Sequence, residues 1–176
     1  GFSAGASIAL VAAADARVAG GLRFVSSFGG YADAERLLVD VATRTSTADG
    51  QTIAWHPDAG IRRDVLELAL AALDTDSVGD DLRRRLAPIV SADSPPVGPR
   101  ADDLAALTGD ARSIYLLFTA DDRTAAEQAV ESLTPDLRAR LAGISPVTVA
   151  DGIRAPVFLI HGLTDTAIPV AHATLL

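Results

Sequence analysis

Gly1-Phe2-Ser3-Ala4-Gly5 opens the chain and runs straight into Ala6-Ser7-Ile8-Ala9-Leu10-Val11-Ala12. The first five residues have the form G-x-S-x-G, and the apolar, alanine-rich stretch after them predicts a helix over residues 4–16. A serine between two such glycines at the start of a helix is the pattern of a nucleophile elbow, a sharp strand-to-helix turn that lifts the serine Oγ above a sheet. Glycines suit the flanking positions because side chains there would jam strand against helix. The helix start also brings unpaired backbone N–H groups and the positive dipole end to the serine. A bland reading competes, in which Ser3 is an ordinary turn or N-cap serine.

Outward from that turn, Gly20-Gly21 ends the helical pattern, and Leu22-Arg23-Phe24-Val25-Ser26-Ser27-Phe28 reads as a buried strand closed by Gly29-Gly30. Helix then strand, with a strand implied before the helix, makes a βαβ unit and hence a parallel sheet. From Asp33 to Ala150 the pattern is helical. Leu66, Leu70 and Leu73 share one face at a 3.6-residue period. The sets Leu37/Leu38/Val41, Leu82/Leu86/Ile89, Ala126/Val130/Leu133 and Leu137/Leu141/Ile144 do the same. Thr134-Pro135 is a helix start, Ile114–Phe118 reads as helix by its surroundings, and Ser91–Pro99 reads as a loop. Strand character returns at Ala155-Pro156-Val157-Phe158-Leu159-Ile160. A parallel crossover needs only about a dozen residues, so over a hundred between the two strands predict an inserted helical lid. The expected class is α/β, with a core at 1–32 and 150–176 and a lid at 33–149.

Composition narrows the chemistry. Hydrophobic residues make up 49% and charged residues 22%, which suits a globular chain. A net charge of −8 argues against non-specific nucleic-acid binding. No apolar run approaches the roughly 20 residues that span a bilayer. Cysteine is absent, which removes thiolate nucleophiles, thiolate metal sites and disulfides. Lysine is absent too, which removes Schiff-base chemistry. Three scattered histidines lack metal-ligand spacing, and Gly29-Gly30 lacks the third glycine of a dinucleotide loop. No cofactor and no metal are expected. The compartment carries no sequence signal, and the cytoplasm is favoured by default.

The late strand runs into His161-Gly162-Leu163-Thr164-Asp165-Thr166-Ala167-Ile168-Pro169. In open α/β sheets, reacting groups gather at the carboxyl ends of strands. Ser3 and Asp165 both sit on turns leaving such ends. An aspartate there can accept the Nδ1–H of a histidine and stabilise its imidazolium when the serine gives up its proton. The bland reading makes Asp165 an Asx-turn aspartate.

Gly1–Gly5, taken with Ile153–Pro169, resembles the α/β-hydrolase superfamily. The second block is similar to that family's I-x-A-P-V-x-x-I-H-G-x-x-D-x-x-V-P pattern, with Ile168 in place of the usual valine. The likeness covers the two ends of the chain and not the helical middle. It implies a serine hydrolase with Ser3 as nucleophile, Ala4 as an oxyanion-hole residue through its backbone N–H, and Asp165 as the triad acid. Asp33 is the alternative acid. The substrate class is a small-molecule ester or amide, with a carboxylic esterase first and a prolyl-oligopeptidase-type serine peptidase second. The family places its catalytic histidine some tens of residues beyond the acid, and the second oxyanion donor before the elbow. The resemblance therefore implies a fragment, inert alone, with a catalytically silent binding module as the remaining alternative. His161 and His172 are expected to be structural, and His56 a surface residue. Trp55, Tyr115 and Phe118 are expected to pack within the lid, and Arg83-Arg84-Arg85 to lie on a solvated helix face.

Overall fold

The computed structural model describes residues 1–73, 76–94 and 96–176. It is a mixed α/β structure. In chain order the elements are α1 (Ala4–Ala14), α2 (Ala16–Ala19), β1 (Val25–Phe28), α3 (Ala34–Thr43), β2 (Thr45–Ala48), β3 (Gln51–Ala54), α4 (Ala59–Ala71), α5 (Asp76–Ser91), α6 (Ala101–Ala106), α7 (Gly109–Thr119), α8 (Arg123–Glu131), α9 (Pro135–Gly143) and β4 (Val157–Ile160). The chain divides into two compact units. One comprises Gly1–Leu37, Ser46–Ile53 and Ala139–Leu176, the other Leu38–Thr45 and Ala54–Arg138.

The first unit is built around β1. It pairs in parallel with β4, in register from Val25 opposite Val157 to Phe28 opposite Ile160. On its other side Phe2 forms a parallel bridge with Phe28. The Phe2 segment, β1 and β4 thus lie side by side with their carboxyl ends together. The pattern along β1 alternates: Val25 and Ser27 are buried, while Ser26 and Phe28 are half-buried. Val25 packs under Leu10 and Ala13 of α1 in a small core, with Leu22, Ile153 and Ala155 against it. The opposite face is bare and aromatic. Phe2 (74% exposed) stacks on Phe28, and Phe24 (58%) meets Phe158 (55%) edge-on. All four residues of β4 are exposed, although a run of Val-Phe-Leu-Ile is what a parallel strand covered on both faces carries.

The strand expected over Leu22–Phe28 is shorter, starting at Val25, and the first helix breaks at Asp15, whose carboxylate caps α2 through Arg17 N. A larger difference lies in the middle of the chain, expected to be mostly helical from residue 33 to 150 with no strand. β2 and β3 form a two-stranded sheet there. Asp49 (φ 51°) and Gly50 (φ 75°) make its turn, the left-handed pair that a two-residue Asp-Gly hairpin needs. Alternation of threonine with small residues gives these strands little apolar signal, so the helical periods on either side dominate.

The second unit has α7 at its centre, with Tyr115, Leu117 and Phe118 each at most 2% exposed. Ile114–Phe118 lies within this helix, as its helical surroundings predict. Leu66 and Leu70 of α4 and Leu82 and Leu86 of α5 are buried as their spacing predicts. The Tyr115 hydroxyl donates to Asp103 Oδ2 at 2.6 Å, and Arg85 pairs with the other oxygen. The Tyr115 bond and the Arg85 guanidinium hold the Asp103 carboxyl below its usual range. Arg62, buried, donates to the carbonyls of Pro57 and Val90 at 2.7 Å each, and Arg44 donates to the Ala92 carbonyl at 2.7 Å. Together they close the C-terminal end of α5, where helix carbonyls lack partners. The loop expected over Ser91–Pro99 is non-helical from Ala92 onward, with Pro95 outside the described residues. Arg83, Arg84 and Arg85 pair with Glu67, Asp80 and Asp81 in a largely exposed network, as a solvated face should. No helix among the described residues is long and apolar enough to cross a membrane.

One close approach in the first unit gives a direct test. A Cβ on Gly30 would fall 2.9 Å from Ser27 Oγ, 3.0 Å from Ala6 Cβ and 3.1 Å from Ser7 Oγ. Gly30→Ala is therefore expected to cost about 1–3 kcal/mol by overpacking α1 against β1. Gly5→Ala, where a Cβ meets open space, should be neutral or stabilising by up to ~1 kcal/mol in a helix. Denaturant unfolding of the two variants checks the contrast, and equal losses would contradict it.

Candidate functional site

The strand-to-helix turn at Ser3 is held from both sides. Ser3 N donates to Phe28 O at 2.8 Å, and Phe28 N donates to Gly1 O at 3.1 Å, which zips residues 1–3 to the end of β1. Ser3 then has φ 50° and ψ −137°, a left-handed-side backbone that a residue with a Cβ rarely adopts, and α1 begins at once. The serine side chain is exposed and forms no cap hydrogen bond to the helix. The N-cap reading of Ser3 accordingly finds no bond to support it. Ala4 is the first helical residue, where the N–H has no partner within its own helix.

The two flanking glycines differ. A Cβ on Gly1 would lie 2.5 Å from Gly5 O and 2.7 Å from Ala6 Cα, so that glycine is needed for the strand to pass the helix. At Gly5 a Cβ would meet nothing within 4 Å. The expectation that both glycines prevent jamming is met at Gly1 only.

Asp165 lies on the loop after β4. Its Oδ1 accepts the backbone N–H groups of Ala167 at 2.8 Å and Ile168 at 3.1 Å, an Asx-type turn that fixes the carboxylate plane. The turn role is thus formed, and it occupies one oxygen. The other, Oδ2, is 3.1 Å from where a Cβ on Gly29 would stand. Gly29 follows Phe28, the residue whose carbonyl holds Ser3 N, and its own N–H donates to Ile160 O at 2.9 Å. Ser3 and Asp165 are therefore gathered at consecutive residues of the same strand end, one against Phe28 and the other against Gly29.

The two nearby histidines are built into the scaffold. His161 closes β4 with its side chain 4% exposed; Nε2 is 2.9 Å from Ile168 O and 3.5 Å from Asp165 Oδ2. Because a carbonyl can only accept, Nε2 carries a proton. His161 thus ties both ends of the acid loop. His172 is wholly buried, and its Nδ1 accepts the Ala32 N–H at 3.2 Å. Asp33, the alternative acid, accepts Arg36 N at 3.1 Å and caps α3. His56 belongs to the second unit and is exposed, and Tyr115 and Phe118 are buried in that unit's core. Among the described residues no group of three His, Asp or Glu side chains is placed to hold a metal ion.

Two residues of this arrangement escape sequence reasoning. Gly29 reads in the sequence only as a strand terminator; its contact with Asp165 depends on a loop more than a hundred residues away. Tyr31 likewise gave no signal, yet with Ala34 it packs on Ile168 and so backs the loop that carries Asp165. No protein-family model matches the chain, and no curated protein and no solved structure is significantly similar to it.

Proposed function

We propose that this chain carries the nucleophile and the acid of an α/β-hydrolase-type serine esterase, with the helical segment between them as a lid. The observation that carries the reading is Ser3. It is exposed, held in a costly backbone conformation, and its hydroxyl is not spent on capping the helix it starts. Backbone strain clusters at active sites, and at Ser3 it falls on an exposed hydroxyl, which supports this role.

In this mechanism Ser3 Oγ attacks the ester carbonyl while a histidine base takes its proton. Asp165 Oδ2 accepts that histidine's Nδ1–H and stabilises the imidazolium. The tetrahedral oxyanion is bound by the Ala4 N–H and by a second donor, which the resemblance puts before the elbow; such donors are worth about 3 kcal/mol each. Collapse breaks the C–O bond, and the histidine returns the proton to the leaving alcohol. Water, deprotonated by the same histidine, then releases the carboxylic acid and restores Ser3. His161 Nε2 already meets Ile168 O and His172 Nδ1 already accepts the Ala32 N–H, which supports a structural role for both. The resemblance puts the base some tens of residues past Asp165, and the tests below are made on a protein that includes such a histidine.

Asp165→Asn tests the acid. The asparagine carbonyl can still accept from Ala167 and Ile168, so the loop should keep its shape. An NH₂ then faces the base in place of Oδ2, a donor against a donor. In the histidine-bearing protein, kcat for a p-nitrophenyl ester should fall about 10⁴-fold with little change in Tm. A loss of less than tenfold would remove Asp165 from the mechanism.

A further inference from the structure

Gly29 has two properties that the sequence does not connect. Its φ of +58° is left-handed, and the direction in which a side chain would leave it is occupied by the carboxylate of Asp165, 3.1 Å from the Cβ position. The carboxylate cannot easily move aside. Oδ1 is pinned by two backbone N–H groups, and His161 Nε2 stands 3.5 Å from Oδ2 while bonded to Ile168 O. The Gly29 backbone is equally fixed, since its N–H reaches Ile160 O and the preceding carbonyl holds Ser3 N. We infer that Gly29 is a positioning residue: with no side chain it leaves the room in which Asp165 Oδ2 sits, and so sets where that oxygen meets the base. The inference rests on the serine-hydrolase reading for its functional part and on geometry alone for the contact.

A methyl group at residue 29 has to displace Oδ2 by a few tenths of an ångström. A misplacement of 1 Å can cost ~100-fold, so a shift of a few tenths of an ångström is expected to cost on the order of tenfold in kcat. The carboxylate would hold the imidazolium less well, lowering the pKa of the base.

The experiment compares Gly29→Ala with Gly50→Ala in the histidine-bearing protein. Gly50 has φ +75° and nothing within 4 Å of its Cβ position, so it shares the left-handed strain without the contact. Gly29→Ala should lower kcat about tenfold at unchanged KM and move the acid limb of the pH–rate profile to lower pH. Gly50→Ala should lower Tm only. A kcat for Gly29→Ala equal to that of Gly50→Ala would overturn the inference. The contact is tested without activity by repeating Gly29→Ala in an Asp165→Ala background, where the Tm loss should be smaller than in the parent. An equal Tm loss would overturn it as well. If Ser3→Ala keeps full activity, the hydrolase reading fails, while the Tm comparison still decides whether Gly29 supports Asp165.

Discussion

Ser3→Ala is expected to reduce ester hydrolysis by the histidine-bearing protein about 10⁶-fold, the loss seen when a triad nucleophile is removed. Stability should barely change. The Ser3 hydroxyl caps nothing, and its side chain is exposed, so deleting Oγ breaks no bond of the fold. The strained backbone at φ 50° penalises alanine and serine alike, because both carry a Cβ. The pairing of Ser3 N with Phe28 O is a main-chain bond and survives the substitution. An inactive protein with wild-type Tm is thus the expected outcome. If activity persisted at even a hundredth of the wild-type rate, Ser3 would not be the nucleophile.

The largest effect expected on stability lies in the second unit, at Asp40 of α3. Its side chain is wholly buried, and Oδ1 pairs with Arg123 Nη1 at 2.7 Å. Arg123 is 16% exposed and also reaches Thr45 Oγ1 at 3.3 Å and Glu127 at 2.8 Å. Removing one member of a buried pair leaves the other charge without compensation, at about 3–5 kcal/mol. Because Glu127 remains to Arg123, Asp40→Ala should fall at the low end, about 3 kcal/mol. Glu127→Ala, which deletes the half-exposed partner of the same guanidinium, should cost under ~1 kcal/mol. Denaturation midpoints of the two variants measure the difference, and a cost at Asp40 no greater than at Glu127 would contradict it.

What the sequence made legible was what local spacing determines. The serine turn follows from glycine placement, the parallel pairing from the strand–helix–strand order, and the buried faces of α4 and α5 from 3.6-residue apolar periods, whereas α7 reads as helix only by its surroundings. The Asp-Gly hairpin was missed because its strands carry threonine and serine where an apolar alternation would announce them. The cluster around Gly29 was illegible for another reason. Phe28, Gly29 and Asp165 meet only after β4 is laid in register against β1, and nothing in either segment alone encodes that meeting. His161 shows the same limit: its position at the strand end was readable, but its bond to Ile168 and its approach to Asp165 depend on how the loop folds back.

Covalent labelling shows whether Ser3 is a nucleophile. The histidine-bearing protein is treated with a fluorophosphonate, and the adduct is located by peptide mass spectrometry. A single adduct on Ser3 is expected, which Ser3→Ala abolishes and Asp165→Asn slows. Labelling at another residue, or labelling undiminished in Ser3→Ala, would contradict it.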